Sequence, residues 1–238
     1  STLGEVFPKL APTMDAGFRG VTLDQLLTNH GGAPGGLETD GLWGKLWKHK
    51  GSPTSARRLL VEGVTQHAPE ATPGTKFIYS NAGFAMAGHM AEEVTGSSWE
   101  DLMQKRLFGP LGMTSAGFGA PGTADAITQP RGHHENGGFV EPGPGADNPV
   151  AIGPAGIVHC TIGDWAKFVA LHLRADQGDA KLLKTETFKK LHTPVADGSH
   201  YAFGWMVTSR PWAGKGDRVL THSGSNTMWY CVTWIAPE

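Results

Sequence analysis

The sequence is poor in three features that would assign it to a special class of protein. Its two cysteines, Cys160 and Cys231, are too few for a disulfide framework and too far apart for a Cys-x-x-Cys motif, so we expect buried thiols. It has no long run of like charges and a formal net charge of −2, which disfavours nucleic acid and anionic membranes as partners. Its apolar stretches are too short to span a bilayer.

The beginning of the sequence also lacks a charged segment followed by an apolar one, so we predict no secretory signal in it. The composition is that of an ordinary soluble protein, with 238 residues forming a single domain. Its cellular location stays open. What is abundant is glycine, proline and histidine, with 34, 16 and 11 residues. The glycines and prolines cluster between helical stretches, which indicates a loop-rich fold.

Helices are predicted from caps and apolar spacing. Thr22 to Gln25 forms a capping box for a helix that ends at Asn29. Residues 81–95 have an apolar face, and Gly96 follows as a natural stop. Further helices are predicted near 55–63, 98–107, 161–174 and 185–192. In the 161–174 helix, the negative charge of Asp164 in the first turn interacts favourably with the positive end of the helix dipole. The side chains expected to face inward are Ile162, Trp165, Phe168, Val169 and Leu173.

The remaining segments predict loops and strands. Residues 116–158 have little periodicity and indicate a long structured loop. Aromatic and β-branched residues in 201–208, 219–221 and 228–235 predict antiparallel strands.

Three segments carry a resemblance to a known family. They are Val21-Thr-Leu-Asp-Gln-Leu-Leu-Thr-Asn-His-Gly-Gly-Ala-Pro34, Pro73-Gly-Thr-Lys-Phe-Ile-Tyr-Ser-Asn81 and Leu220-Thr-His-Ser-Gly-Ser-Asn226, with Pro154-Ala-Gly156 between the last two. In order and spacing they resemble the class C β-lactamase, esterase and D-aminopeptidase branch of the serine β-lactamase and penicillin-binding-protein superfamily.

The resemblance implies a fold and a set of site residues. The fold is α+β and β-lactamase-like, a single domain over 1–238, with a helical and loop region over about 9–195 and an incomplete antiparallel sheet over 196–238. The implied catalytic residues are Tyr79 as a base, Asn81 as a contact to the substrate amide and His222 on the oxyanion side. For Tyr79 the alternative is a buried phenol at the start of a helix.

The nucleophile motif of that family is missing from the sequence. It is a Ser-x-x-Lys on a helix, and no serine of this chain has lysine three positions later. Because Ser1 to Pro8 resembles the stretch just after that helix, we expect the motif, and also a last strand and helix, to lie outside these residues. Without the motif, ordinary acyl-enzyme chemistry has no activated serine.

The histidines suggest a different source of a nucleophile. Zinc bound by imidazoles lowers the pKa of its water to about 7. His30, His133 and His222 are the candidate ligands, because the first two belong to loops that wall the family's pocket and the third to its motif. His134 is a further candidate, whereas the other histidines, including His172 and His192, are interpreted as surface, packing or capping residues. No motif such as His-Glu-x-x-His supports the metal, and the alternative is polar pocket residues.

Three functions follow as hypotheses. The first is hydrolysis of small activated esters or phosphotriesters by a zinc-bound water. The second is a serine-type esterase or β-lactamase-like enzyme that is inactive without its Ser-x-x-Lys segment. The third is a non-enzymatic binding module. In each case the partner is a small molecule. A homo-oligomer, most simply a dimer, is also predicted, because the aromatic strand at 228–235 would leave an exposed edge.

Overall fold

The computed structural model describes residues 1–126, 128–175, 182–195 and 198–237. Its helices in chain order are α1 Leu3–Val6, α2 Ala16–Arg19, α3 Leu23–Leu27, α4 Leu42–Lys48, α5 Pro53–Thr65, α6 Asn81–Thr95, α7 Trp99–Met103, α8 Gly109–Leu111, α9 Gly153–Gly156, α10 Ile162–Ala175 and α11 Thr185–Leu191. Its strands are β1 Gly117–Phe118, β2 Gly132–His133, β3 Phe139–Val140, β4 Val158–His159, β5 Tyr201–Ala202, β6 Trp205–Ser209, β7 Arg218–Ser225 and β8 Tyr230–Ile235. This mixture confirms the α+β fold.

The chain forms two compact units. The first unit contains Ser1–Leu102 and Asn148–Ile157, and the second contains Met103–Asp147 and Val158–Glu238. The predicted boundary between helical region and sheet, at residue 196, lies outside the described residues. No helix in the described ranges has the length and apolar character needed to cross a bilayer.

The first unit is built around α5 and α6. Their apolar faces form one core with α1 to α3 and with Ala151 and Ile152. The capping box is confirmed, because Thr22 Oγ1 accepts from Gln25 N at 3.2 Å and Thr22 N donates to Gln25 Oε1 at 2.9 Å. The helix ends at Leu27, before the predicted Asn29, because Asn29 takes a left-handed conformation with φ 60° that a helix cannot continue.

The second unit has a four-stranded antiparallel sheet in the order β5-β6-β7-β8, which is one strand more than the three strand segments predicted. The 116–158 segment is confirmed as largely irregular, with two short strand pairs, β1 with β4 and β2 with β3. One face of the larger sheet packs against α10, through Trp205, Leu220 and Ile235. On β8 the opposite face is exposed, with Tyr230, Val232 and Trp234 at 70%, 47% and 42%.

Asp164 lies in the first turn of α10, as predicted, and its carboxylate also holds the start of this helix through hydrogen bonds. Asp164 accepts from the backbone N and the Oγ of Ser115 at 2.7 and 2.6 Å and from Lys167 Nζ at 2.6 Å. The bonds from Lys167 and Ser115 lower the pKa of Asp164 to about 2. This carboxylate therefore ties α10 to the loop before β1.

Four predictions about burial are wrong. Cys231 is exposed, although a buried thiol was expected. Ile162 is 82% exposed, because it is the first residue of α10 and precedes the packed stripe. His172 and His192 are buried rather than on the surface, with 6% and 1% exposure. His172 Nδ1 lies 2.9 Å from His192 Nε2, and the His172 ring packs edge-on against Phe188 and Trp205. The hydrogen bond between the two imidazole rings offsets the free-energy cost of burying them among aromatic side chains.

Candidate functional site

In the first unit, Tyr79 and Asn81 stand beside each other at the start of α6. Ser80 between them is the cap of the helix, with extended backbone and its Oγ accepting from Gly83 N at 3.1 Å. Side chains two positions apart across an extended residue point the same way. Ser80 is therefore buried, whereas Tyr79 is 48% exposed and Asn81 is also exposed.

The loop after α3 holds this segment in place. Asn29 is the centre of the contact, since its backbone O accepts from Ile78 N at 2.8 Å and its Oδ1 accepts from Ser80 N at 3.0 Å. Ser80 Oγ donates in turn to Pro34 O at 2.6 Å. The backbone at Gly32, whose φ is +69°, lies very close to the backbone at Ala71. A Cβ at residue 32 would be 2.5 Å from Ala71 O. The first two family motifs thus form one bonded arrangement that presents Tyr79 and Asn81.

The protonation state of Tyr79 follows from its surroundings. Burial raises the pKa of the Tyr79 phenol above its ordinary value of 10.0, because a half-buried phenolate loses part of its solvation. At neutral pH the phenol keeps its proton. It becomes a base only where a nearby cation lowers its pKa.

A charge network that the sequence analysis did not find anchors the other end of α6. Arg57 is fully buried and forms paired hydrogen bonds to two carboxylates. Its Nε and Nη2 lie 3.0 and 2.6 Å from Glu92 Oε2 and Oε1, and its Nη1 and Nη2 lie 2.9 and 2.7 Å from Glu100. The network joins α5, α6 and α7. The network could not be predicted from local sequence spacing, because its two carboxylates lie 35 and 43 residues from Arg57 along the chain.

Glu92 stays ionised in this network. Burial raises the pKa of its carboxyl, but hydrogen bonds from His89, Arg57, the Trp99 backbone and Thr54 outweigh burial and lower the pKa to about 2. Every one of these donors favours the charged form. The carboxylate therefore fixes α6 at physiological pH.

In the second unit, His222 lies on β7 opposite Thr233 of β8. Burial lowers the pKa of the half-buried His222 imidazole, so the ring is neutral at pH 7. A neutral ring offers one N–H donor and one acceptor nitrogen. The residues that follow, Ser223 to Ser225, are exposed.

Asn226, at the end of the third motif, organises the turn between β7 and β8. Its Oδ1 accepts from the backbone N of Met228 and Trp229 at 3.1 and 2.9 Å, and its Nδ2 donates to Asp147 at 2.9 Å. Trp229 then packs on Gly132, where a Cβ would lie 2.9 Å from the indole ring. This turn thus supports the β2–β3 hairpin, which carries His133. Its hydrogen bonding could not be deduced from the motif.

The three predicted zinc ligands have different surroundings in the structure. His30 belongs to the first unit and is 4% exposed, with its Nδ1 2.7 Å from Thr28 O and its ring edge-on to Phe77. His133 belongs to the second unit and is exposed against Phe139. Among the described residues, which include His30, His133 and His222, the His, Cys, Asp and Glu side chains form no group of three or more that could hold a metal ion.

Comparison with known proteins gives penicillin-binding proteins and D-aminopeptidases among the relatives. Penicillin-binding protein 4 of Amycolatopsis lactamdurans is 30% identical over 173 residues, which are 72% of this chain and 43% of that protein. A D-aminopeptidase of Brucella ovis is 28% identical over 189 residues, 76% of this chain and 33% of that enzyme. The octameric penicillin-binding protein homologue from Pyrococcus abyssi superimposes with a TM-score of 0.66 at 22% identity, covering 92% of this chain and 50% of that one.

This chain spans half or less of the length of these three proteins. The family model described as beta-lactamase matches residues 6–238. That range includes both units and all three sequence motifs. The chain belongs to the β-lactamase family, in the superfamily of serine β-lactamases and penicillin-binding proteins.

Proposed function

We propose that the chain is part of a serine hydrolase that cleaves amide or ester bonds in small molecules, with catalytic roles for Tyr79, Asn81 and His222. The observation that carries the proposal is the bonded arrangement of Asn29, Pro34 and Ser80, which presents Tyr79 and Asn81 together at the start of α6. The D-aminopeptidase relative makes amides of D-amino acids the first substrates to test.

The chemistry divides among these residues according to their donors and acceptors. In acyl transfer a base removes the proton of the attacking serine, and donors stabilise the oxyanion that forms. Asn81 can bind a substrate amide through both its carbonyl and its NH₂ group. His222 is neutral and can donate to developing negative charge.

The base role of Tyr79 requires a cation. Its pKa is raised among these residues, so the phenol does not accept a proton near pH 7. The lysine of a Ser-x-x-Lys segment would provide a positive charge and favour the phenolate. The 238 residues contain no such segment, so the proposed activity requires one in addition.

The 238-residue chain alone is therefore expected to form no stable covalent adduct with penicillin or a fluorophosphonate. None of its serines has lysine three positions later, and a serine hydroxyl without an aligned base is a weak nucleophile. The measurement is intact mass after incubation. Stoichiometric labelling of one serine would show that the chain holds an activated nucleophile that we have not recognised.

The competing proposal is hydrolysis of activated esters or phosphotriesters by a zinc-bound water. We expect no such activity, because the predicted ligands do not form a metal-binding group in the described residues. Metal analysis and ester hydrolysis with and without a chelator test this expectation, with His222→Ala and His133→Ala as the variants. Bound zinc at one ion per chain, lost together with activity in both variants, would restore the metal hypothesis.

A homo-oligomer remains our prediction, with β8 at the interface. Tyr230, Val232 and Trp234 are exposed on an edge strand, and burying such apolar area contributes roughly 25 cal/mol per Å² to association. The relative from Pyrococcus abyssi is octameric. Light scattering should give at least twice the chain mass of 25.3 kDa. Val232→Lys should shift the protein to the monomer, since a charged edge strand resists pairing. A wild-type chain that stays monomeric at all concentrations would refute the prediction.

A further inference from the structure

Asn29 bonds to the backbone on both sides of Tyr79. Its backbone O accepts from Ile78 N at 2.8 Å, and its side-chain Oδ1 accepts from Ser80 N at 3.0 Å. The two donors are the sequence neighbours of Tyr79, so one residue fixes the chain before and after the phenol. Asn29 is buried, with 3% exposure, and a hydrogen bond in such surroundings is stronger than one in water.

The two bonds depend on an uncommon backbone conformation at residue 29. Asn29 has φ 60°, in the left-handed region that only glycine, asparagine and aspartate visit routinely. In this conformation both its carbonyl and its side chain bond to the same segment, residues 78–80. Most other residues would be strained here, and an apolar residue would also offer no side-chain acceptor to Ser80 N.

The acceptor oxygen is the atom of the Asn29 amide that holds the segment. Its Nδ2 is buried without a hydrogen-bond partner in the part of the chain that the structure describes. An unpaired buried donor costs free energy and contributes nothing to holding the segment. Aspartate has the same acceptor oxygen and also tolerates the left-handed backbone, so it is the conservative replacement at this position.

We propose that Asn29 is a positioning residue that fixes the orientation and the half-burial of the Tyr79 side chain. In this role it would serve the base that the proposed function assigns to Tyr79, and in that respect the inference rests on the proposed function. Other bonds keep α6 itself in place, since Ser80 Oγ caps the helix and donates to Pro34 O. Loss of the Asn29 side chain should therefore release Tyr79 without releasing the helix.

The effect on Tyr79 can be measured through its protonation. Burial raises the pKa of the Tyr79 phenol above its ordinary value of 10.0. A phenol that is released into water has its phenolate solvated again, so its pKa returns toward that value. The pKa of Tyr79 thus reports how firmly the side chain is held.

The test uses the 238-residue chain and requires no enzymatic activity. The chain has three tyrosines, Tyr79, buried Tyr201 and exposed Tyr230. Tyrosine labelled with ¹³C at Cζ therefore gives three resonances, which tyrosine-to-phenylalanine variants assign. Titration of the Tyr79 resonance with pH gives its pKa, and amide hydrogen exchange is followed at Ile78 and Ser80.

Two variants of Asn29 separate its bonds. Asn29→Gly keeps the left-handed backbone and removes Oδ1. We expect exchange at Ser80 to become about five- to tenfold faster, the protection that one net hydrogen bond provides, while exchange at Ile78 stays unchanged and the pKa of Tyr79 falls toward 10.0. Asn29→Asp keeps the oxygen, so both amides should stay protected and the pKa of Tyr79 should not fall.

Thr28→Val is the matched control at the neighbouring position. Thr28 is also buried, and its Oγ1 donates to Asp24 O at 2.8 Å. Valine has nearly the same shape and removes only this hydroxyl. The pKa of Tyr79 and the exchange of both amides should remain as in the wild type.

Two results would overturn the proposal. One is an unaltered pKa of Tyr79 in Asn29→Gly while the Tyr201 resonance shows a folded core. The other, which decides the matter even if the glycine variant does not fold, is the loss of Ser80 protection in Asn29→Asp or an equal fall of the Tyr79 pKa in Thr28→Val. Because these measurements involve no catalysis, failure of the serine-hydrolase proposal leaves their outcome unchanged.

Discussion

Replacing Arg57 by methionine is expected to lower the free energy of unfolding by roughly 3–5 kcal/mol, as for other buried ion pairs that lose one partner. The methionine fills part of the volume but offers no hydrogen-bond donor. Glu92, with 4% exposure, would then keep its charge without the paired donors that balance its burial. Urea denaturation followed by tryptophan fluorescence measures the change.

The matched control is the next residue along α5. Arg58 also pairs with a glutamate, since its Nε lies 2.9 Å from Glu62 Oε1, but its side chain is 55% exposed. Exposed pairs of this kind contribute about 0.3–0.5 kcal/mol, so Arg58→Met should change stability by no more than that. Similar losses for the two variants would contradict the structural role of the Arg57 network.

The network also predicts a pH dependence. The pKa of Glu92 is lowered to about 2 in the folded chain, whereas an unfolded glutamate has a pKa of about 4.3. The stabilisation from Glu92 is therefore complete above pH of about 4.3 and is lost as the pH falls through the folded pKa. Removing Arg57 takes away a donor that lowers this pKa, so in Arg57→Met the loss on acidification should be smaller and should be complete at a higher pH.

The second large effect concerns Tyr79. In a chimera that adds the Ser-x-x-Lys segment of a family relative to this chain, Tyr79→Phe should slow acylation by roughly 10²- to 10⁴-fold, the usual contribution of a general base. Phenylalanine keeps the ring and removes only the hydroxyl. The measurement is the rate of penicillin acylation against pH.

Tyr230→Phe is the matched control for Tyr79→Phe. Tyr230 is 70% exposed on β8, and we assign it no part in catalysis. Its replacement should leave the acylation rate within about twofold, in line with the small effects of surface substitutions. If both variants acylate at the wild-type rate, Tyr79 is not the base.

The parts of the fold that were predictable are those with local causes. Helix α6 has the predicted bounds, 81–95, because Ser80 caps its start and Gly96 ends it with φ 68°. The capping box of α3 was likewise visible in four consecutive residues. Caps and left-handed glycines act within one turn, so a single sequence contains their full information.

The parts that were not predictable depend on distant partners. His172 occupies a buried position of the α10 stripe, but its partner His192 belongs to the following segment. Arg57 resembles an ordinary charged residue of an amphipathic helix until Glu92 and Glu100 are brought to it. Whether a polar residue is buried depends on its tertiary contacts, and composition and periodicity carry no information about those contacts.

The candidate site shows the same division. Tyr79, Asn81 and His222 were named from motifs, and the structure adds how Asn29 and Ser80 present the first two. The zinc hypothesis grouped His30 with His133 and His222 without knowledge of their surroundings. The burial of His30 and its hydrogen bond to Thr28 could not be deduced from a loop sequence.

One measurement tests the central claim most directly. The chimera with the added Ser-x-x-Lys segment is incubated with penicillin, beside the 238-residue chain alone and a chimera whose added serine is alanine, and the intact masses are compared. We predict one penicilloyl group per chain in the chimera, attached to the added serine, and none in the other two. A folded chimera that takes up no penicilloyl group, or a label on a serine of the original 238 residues, would contradict the account.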